Sequence, residues 1–126
     1  MTKSFVIKYT SGFKKSYKRV KKSSRWQPIF NQPSAFQGTE LSSWLFVLTC
    51  FRNNTPIPEY FYEHQLTPPR DLVKQLKRTA KNKVEIHVLD LHLDGHNGDH
   101  LLIFSRNVLD QTVTLINIGT HSDLFG

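Results

Sequence analysis

The chain has a single cysteine, Cys50, in 126 residues, so no intrachain disulfide can form. Cys50 lies in the apolar run from Trp44 to Phe51, which suits a small buried hydrophobe, and cysteine usage implies no oxidising compartment. No stretch approaches the roughly 20 apolar residues that span a bilayer, and Met1-Thr2-Lys3-Ser4-Phe5 opens without a signal-peptide core. A cytoplasmic protein is the expectation. Repeats, low-complexity tracts and long linkers are also missing. With 38% hydrophobic residues, among them nine Phe, four Tyr and two Trp, the length suits one domain over 1–126 with one core.

Acid is absent from the first 39 residues, where nine bases stand: Lys3, Lys8, Lys14, Lys15, Lys18, Arg19, Lys21, Lys22 and Arg25. Residues 70–83 add six bases against Asp71 alone, whereas 84–126 hold only Arg106 against six acids and five of the six histidines. Charge for holding a polyanion is thus separated along the chain from groups that move protons. Lysines on an ordinary solvated helix face would explain a single charge run, but the asymmetry of the net charge of +7 points to nucleic acid.

Phe5-Val6-Ile7-Lys8-Tyr9 reads as a short strand, and Thr10 can cap a basic helix through about Lys22 that packs through Phe13, Tyr17 and Val20. Residues 23–38 read as a connection with a short helical piece at Trp26 to Phe30. A core helix is expected from about Thr39 to Arg52, with Thr39 as cap and Pro56 and Pro58 stopping it. An extended segment from Glu59 to Leu66 follows, then a short basic helix from Pro69 to about Ala80. Three strands close the chain: Lys83 to Leu93, His100 to Val108 and Gln111 to Ile118. The fold class is therefore α+β, a small antiparallel sheet with the N-terminal helices packed on one face.

Metal-free RNA cleavage needs a base at the ribose 2′-OH, donors around the phosphorane and an acid for the 5′-oxygen, roles that histidine suits near neutral pH. Candidates are His64, His87, His92, His96, His100 and His121, of which His87 and His100 best suit structural roles. Strand alternation sets Asp90, His92 and Asp94 on one face and Leu89, Leu91 and Leu93 on the other. A zinc reading of His92, His96, His100, Asp94 and Asp99 is disfavoured by Gly95 and Gly98, which argue for a loop, and by the lack of a cysteine ligand. No metal or other cofactor is expected. A Ser-His-Asp triad lacks its strand-turn-helix elbow.

Three segments resemble the YafQ-like toxins of the RelE/ParE superfamily, the ribosome-dependent mRNA interferases of bacterial toxin-antitoxin modules. They are the ending Gly119-Thr120-His121-Ser122-Asp123-Leu124-Phe125-Gly126, the stretch Asn53-Asn54-Thr55-Pro56-Ile57-Pro58 leading to His64-Gln65-Leu66, and Asp90-Leu91-His92 followed by Asp99-His100-Leu101-Leu102-Ile103-Phe104. The resemblance implies a RelE-like microbial RNase fold and an endoribonuclease that cleaves mRNA in the ribosomal A site. It implies a proton-transfer cluster of His64, His92, Asp99 and His121, with Phe125 on the RNA and Lys14, Lys15, Lys18, Arg19, Lys21 and Lys22 holding message and ribosomal RNA. It further implies a cognate antitoxin protein as partner. The chain departs from the family in a longer loop between His92 and Asp99, which makes Asp94 a competitor for the carboxylate role. It also has His100 in place of an aromatic residue, Asn117 where relatives often keep an arginine, and an inserted basic helix near 69–80. The competing readings are a noncatalytic toxin of the same fold, including ParE-like gyrase inhibition, and a generic basic RNA-binding domain.

Overall fold

The computed structural model describes residues 4–80 and 86–125. Lys3, Lys81, Lys83, Gly126 and the start of the strand expected from Lys83 lie outside the described residues. The elements run in the order β1 (Val6–Tyr9), α1 (Ser11–Lys21), a 3-10 turn (Ser24–Trp26), α2 (Gln27–Asn31), α3 (Ser43–Asn53), a second 3-10 turn (Glu59–Phe61), β2 (His64–Leu66), α4 (Arg70–Thr79), β3 (Val88–His92), β4 (Leu101–Asn107), β5 (Thr112–Gly119) and α5 (His121–Phe125).

The helix ends follow from side chains that compete for the free backbone groups. Thr10 caps α1, its hydroxyl accepting the N–H of Phe13 at 3.0 Å. The core helix begins later than the position of Thr39 suggests. The Thr39 hydroxyl turns back to the N–H of Leu41, the Leu41 carbonyl receives Ser34, and Ser42 takes the cap by accepting from Leu45. The same helix ends at Asn54 in the left-handed region (φ 52°), with the Asn54 N–H bonded to the Phe51 carbonyl and the Thr55 N–H to that of Cys50. Asparagine tolerates that conformation, so the stop precedes the prolines. The segment from Glu59 is extended only from His64 onward.

The five strands form one sheet in the order β1-β5-β4-β3-β2. Four of them pair antiparallel, as expected, but β1 runs parallel to β5, so the sheet is mixed. One face carries the main core: Phe13 and Val20 of α1, Trp26, Phe30 of α2, and Trp44, Val47 and Phe51 of α3 against Leu91, Leu102, Phe104, Val113, Leu115 and Ile118 of the sheet. Phe51 and Phe104 meet with ring centroids 4.7 Å apart. The other face is apolar only in part, where Leu76 of α4 covers Val88, Ile103 and Ile116, with Leu124 of α5 packed against them. The helices thus occupy both faces, because the basic helix α4 is amphipathic enough to cover what the N-terminal helices cannot reach. A register shift between Ile103 and Phe104 marks a bulge in β5 at Ile116, next to the polar part of this second face.

Candidate active site

Three histidines gather on that polar part. His64 lies on β2 opposite Asp90 of β3, His92 ends β3, and His121 begins α5. The ring centroids of His64 and His92 are 6.0 Å apart, and those of His92 and His121 are 5.6 Å apart. Phe125, one turn beyond His121, has its ring 6.3 Å from that imidazole and is 55% exposed, so its face is open to a planar ligand.

Each imidazole is tethered by the same nitrogen. Nδ1 of His64 lies 3.1 Å from the Tyr62 carbonyl, Nδ1 of His92 lies 3.1 Å from the Gly98 carbonyl, and Nδ1 of His121 lies 2.5 Å from Oδ1 of Asp99. Carbonyl and carboxylate oxygens accept, so these contacts suit a proton on Nδ1 and leave Nε2 of each ring available. Among the described residues Nε2 has no hydrogen-bond partner in any of the three. His100 differs: Nδ1 meets Oδ2 of Asp94 at 2.6 Å and Nε2 meets the Arg25 carbonyl at 3.2 Å, so both nitrogens are engaged. His87 is hydrogen-bonded to Gln65 at 2.8 Å, and His96 stacks on Tyr62.

The two competing carboxylates have separate work. Asp94 closes its own loop, accepting the backbone N–H groups of Asp99 and His100 as well as the His100 ring. Burial pushes its carboxyl up, but these bonds overcome it and bring the pKa to about 2. Asp99 faces the histidines instead: Oδ1 accepts both the backbone N–H (2.8 Å) and the ring of His121. Those two bonds, the backbone one first, hold Asp99 below the ordinary carboxylate range.

Asp90 stands in the Asp90-Leu91-His92 segment, but it had no place in the proton-transfer cluster expected from sequence. Its side chain is 3% exposed and Oδ1 lies 2.9 Å from Nδ1 of His64, off the geometry of a hydrogen bond, so this oxygen is buried without a hydrogen-bond donor. Burial raises its pKa, and His64, His92 and His121 each oppose that rise. A buried carboxylate needs such countercharge. Alternation did put Asp90 on the face of His92; its burial comes from distant parts of the chain. His64, Asp90 and His92 also bring three donor atoms within 4.8 Å of one another, a group that could hold a metal ion.

Of the basic residues of α1, Arg19 reaches this end of the molecule, 3.8 Å from Oδ2 of Asp123. Arg25 joins it from the following turn, 3.4 Å from Oδ2 of Asp99. Together with Thr120 and Asp123 they line a cleft of about 290 Å3 beside His121. Lys14 and Lys18 line a different groove, with Tyr9, Tyr17 and Trp44, and the ammonium of Lys21 sits 4.5 Å over the Phe30 ring. Lys15 and Lys22 are exposed. Asn117 is occupied locally, its side-chain oxygen accepting the N–H of Ile118 at 2.9 Å.

A family model described as a bacterial toxin of type II toxin-antitoxin systems, YafQ, matches residues 5–126. Solved structures show the same fold. The toxin in the Escherichia coli DinJ-YafQ complex is 21% identical, with a TM-score of 0.57 over 95% of this chain and 97% of that one. A metal-bound toxin from Helicobacter pylori is 20% identical, with a TM-score of 0.58 over 96% and 99%. The archaeal RelE-RelB complex of Pyrococcus horikoshii gives 13% identity and a TM-score of 0.52 over 95% and 96%. A comparison with curated proteins by sequence gives no match.

Proposed function

The chain belongs to the YafQ family of bacterial type II toxins, and on that premise we propose that it is an endoribonuclease that cuts mRNA in the ribosomal A site by metal-independent general acid/base catalysis. The observation that carries this reading is the gathering of three imidazoles, with ring centroids 6.0 and 5.6 Å apart, each tethered through Nδ1. One Nε2 takes the proton of the ribose 2′-OH as that oxygen bonds to the adjacent phosphorus. A second, protonated, gives its proton to the 5′-oxygen as the P–O bond breaks. The products are a 2′,3′-cyclic phosphate and a 5′-hydroxyl, and the enzyme returns to its starting state by proton exchange with water. Asp99 holds His121 in tautomer and orientation, and Asp90 provides the buried negative charge beneath His64. Arg19 and Arg25 would meet charge developing on the phosphorane, a role that Asn117 cannot fill. Phe125 stacks on a base, and the lysines of α1 hold ribosomal RNA and message.

The partner in this proposal is a cognate antitoxin that covers the basic surface in a bacterial cytoplasm, as DinJ and RelB accompany the related toxins. The test uses ribosomes programmed with a defined message, purified toxin and mapping of new 5′ ends. Wild type cuts within the A-site codon, and His121→Ala slows cutting by about 10²–10⁴-fold, the usual contribution of one acid or base. Undiminished cutting by that variant would remove His121 from the mechanism. A chelator arm separates this chemistry from a metal ion at His64, Asp90 and His92, since loss of cutting on chelation would favour the metal.

A further inference from the structure

Tyr62 lies outside the proton-transfer scheme, yet the site is built around it. It is 43% exposed and holds a left-handed backbone (φ 51°), a conformation uncommon for a bulky residue and frequent at functional sites. Its carbonyl is the tether of His64, and its ring lies 5.0 Å from that of His64 and 5.5 Å from that of His92. The imidazole of His96 stacks on it at 4.0 Å, 26° from parallel. His96 is exposed and sits in the lengthened loop, whose shape is set by the Asp94 bonds and by Gly95 at φ 96°. Beside this stack opens a cleft of about 630 Å3, lined among others by Glu59, Tyr60, His96 and Asn97, with room for a nucleobase.

The order of rings is therefore Tyr62 with His96, then His92, His121 and Phe125, with exposed π faces at both ends and imidazoles between them. An RNA strand whose scissile phosphate lies at the imidazoles must send its two neighbouring bases to opposite ends of that row. We propose that Tyr62 and His96 form a second base-stacking platform, taking the nucleotide on the side of the scissile phosphate away from Phe125. The base continues the stack on the outer face of His96, with Tyr62 as its backing. Stacking of this kind accepts any base, so the platform supplies grip and registration, and the polar cleft beside it is where base preference would arise. This proposal rests on the reading of the site as RNA-cleaving.

Ribosomes are programmed with a message whose scissile ribose is 2′-deoxy, so that it binds without being cut, and that carries 2-aminopurine on one side or the other of the scissile phosphate. Wild-type toxin quenches the fluorophore on both sides. His96→Ala and Tyr62→Leu abolish the quench on one side and weaken toxin binding about tenfold, Tyr62→Phe restores both, and Phe125→Ala affects only the opposite side. Retention of both quenches in His96→Ala, a change at an exposed loop position, overturns the platform while leaving the cleavage reading intact. Absence of quenching on both sides with wild type takes down both.

Discussion

At the scale of single residues, the two aspartates of the β3–β4 loop divide structure from chemistry. Asp94 has a folded pKa of about 2 against an ordinary 3.8. Its contribution to stability is complete above the ordinary value and is lost as pH falls from there through about 2. Asp94→Asn should therefore destabilise the fold at neutral pH by about 2 kcal/mol, with the gap to wild type closing in that acid window. Urea titrations over the pH range check this; a gap independent of pH contradicts it. Asp99 is depressed too, but it is the orienting partner of His121. Asp99→Asn should cost less stability than Asp94→Asn, because Asp99 is the more exposed of the two, while its single-turnover cleavage falls by tenfold or more, staying short of the roughly 10²–10⁴-fold loss expected for His121→Ala. A variant that cuts at the wild-type rate would show that the tether is dispensable.

At the scale of elements, the loop from Asp94 to Asp99 connects stability to the site. Gly95 lies at φ 96°, and a Cβ there would meet the Tyr60 ring at 3.0 Å. Gly95→Ala should cost about 1–2 kcal/mol, most of it backbone strain, and thermal melts measure it directly. An unchanged melting temperature would show that the loop adapts. What was legible in sequence follows the same division between local and distant causes. The cap at Thr10, the facing of His92 away from Leu91 and the closing strands rest on neighbours along the chain. The later start of α3 was hidden because Thr39 and Ser42 are both good caps, and the choice depends on Leu41 being held by Ser34. The helix α5 is too short for periodicity to show; only the reciprocal pair Thr120 and Asp123, each accepting the other's backbone N–H, marks it. The burial of Asp90 and the reach of Arg25 to Asp99 are long-range events that no local pattern encodes.

At the scale of the whole molecule, the acids near the histidines other than the buried Asp90 are already engaged: Asp94 by His100, Asp99 by His121 and Arg25, and Asp123 by Thr120 and Arg19. The excess of positive charge is left on the flanking basic helices, α1 above all, where it can attract the backbone of RNA. Binding to programmed ribosomes should weaken linearly in log affinity against log salt, and Lys14→Gln with Lys15→Gln should reduce that slope by about one for each phosphate that is no longer neutralised. An unaltered slope would place the phosphate-binding charge elsewhere. If fixed imidazoles alone carry proton transfer, the chemistry of the cut ends must show it. End-group analysis of message cut in the presence of a strong chelator should find 2′,3′-cyclic phosphate and 5′-hydroxyl termini, formed at the rate seen without chelator. Fragments bearing 5′-phosphate, or no cutting once metal is removed, would contradict it.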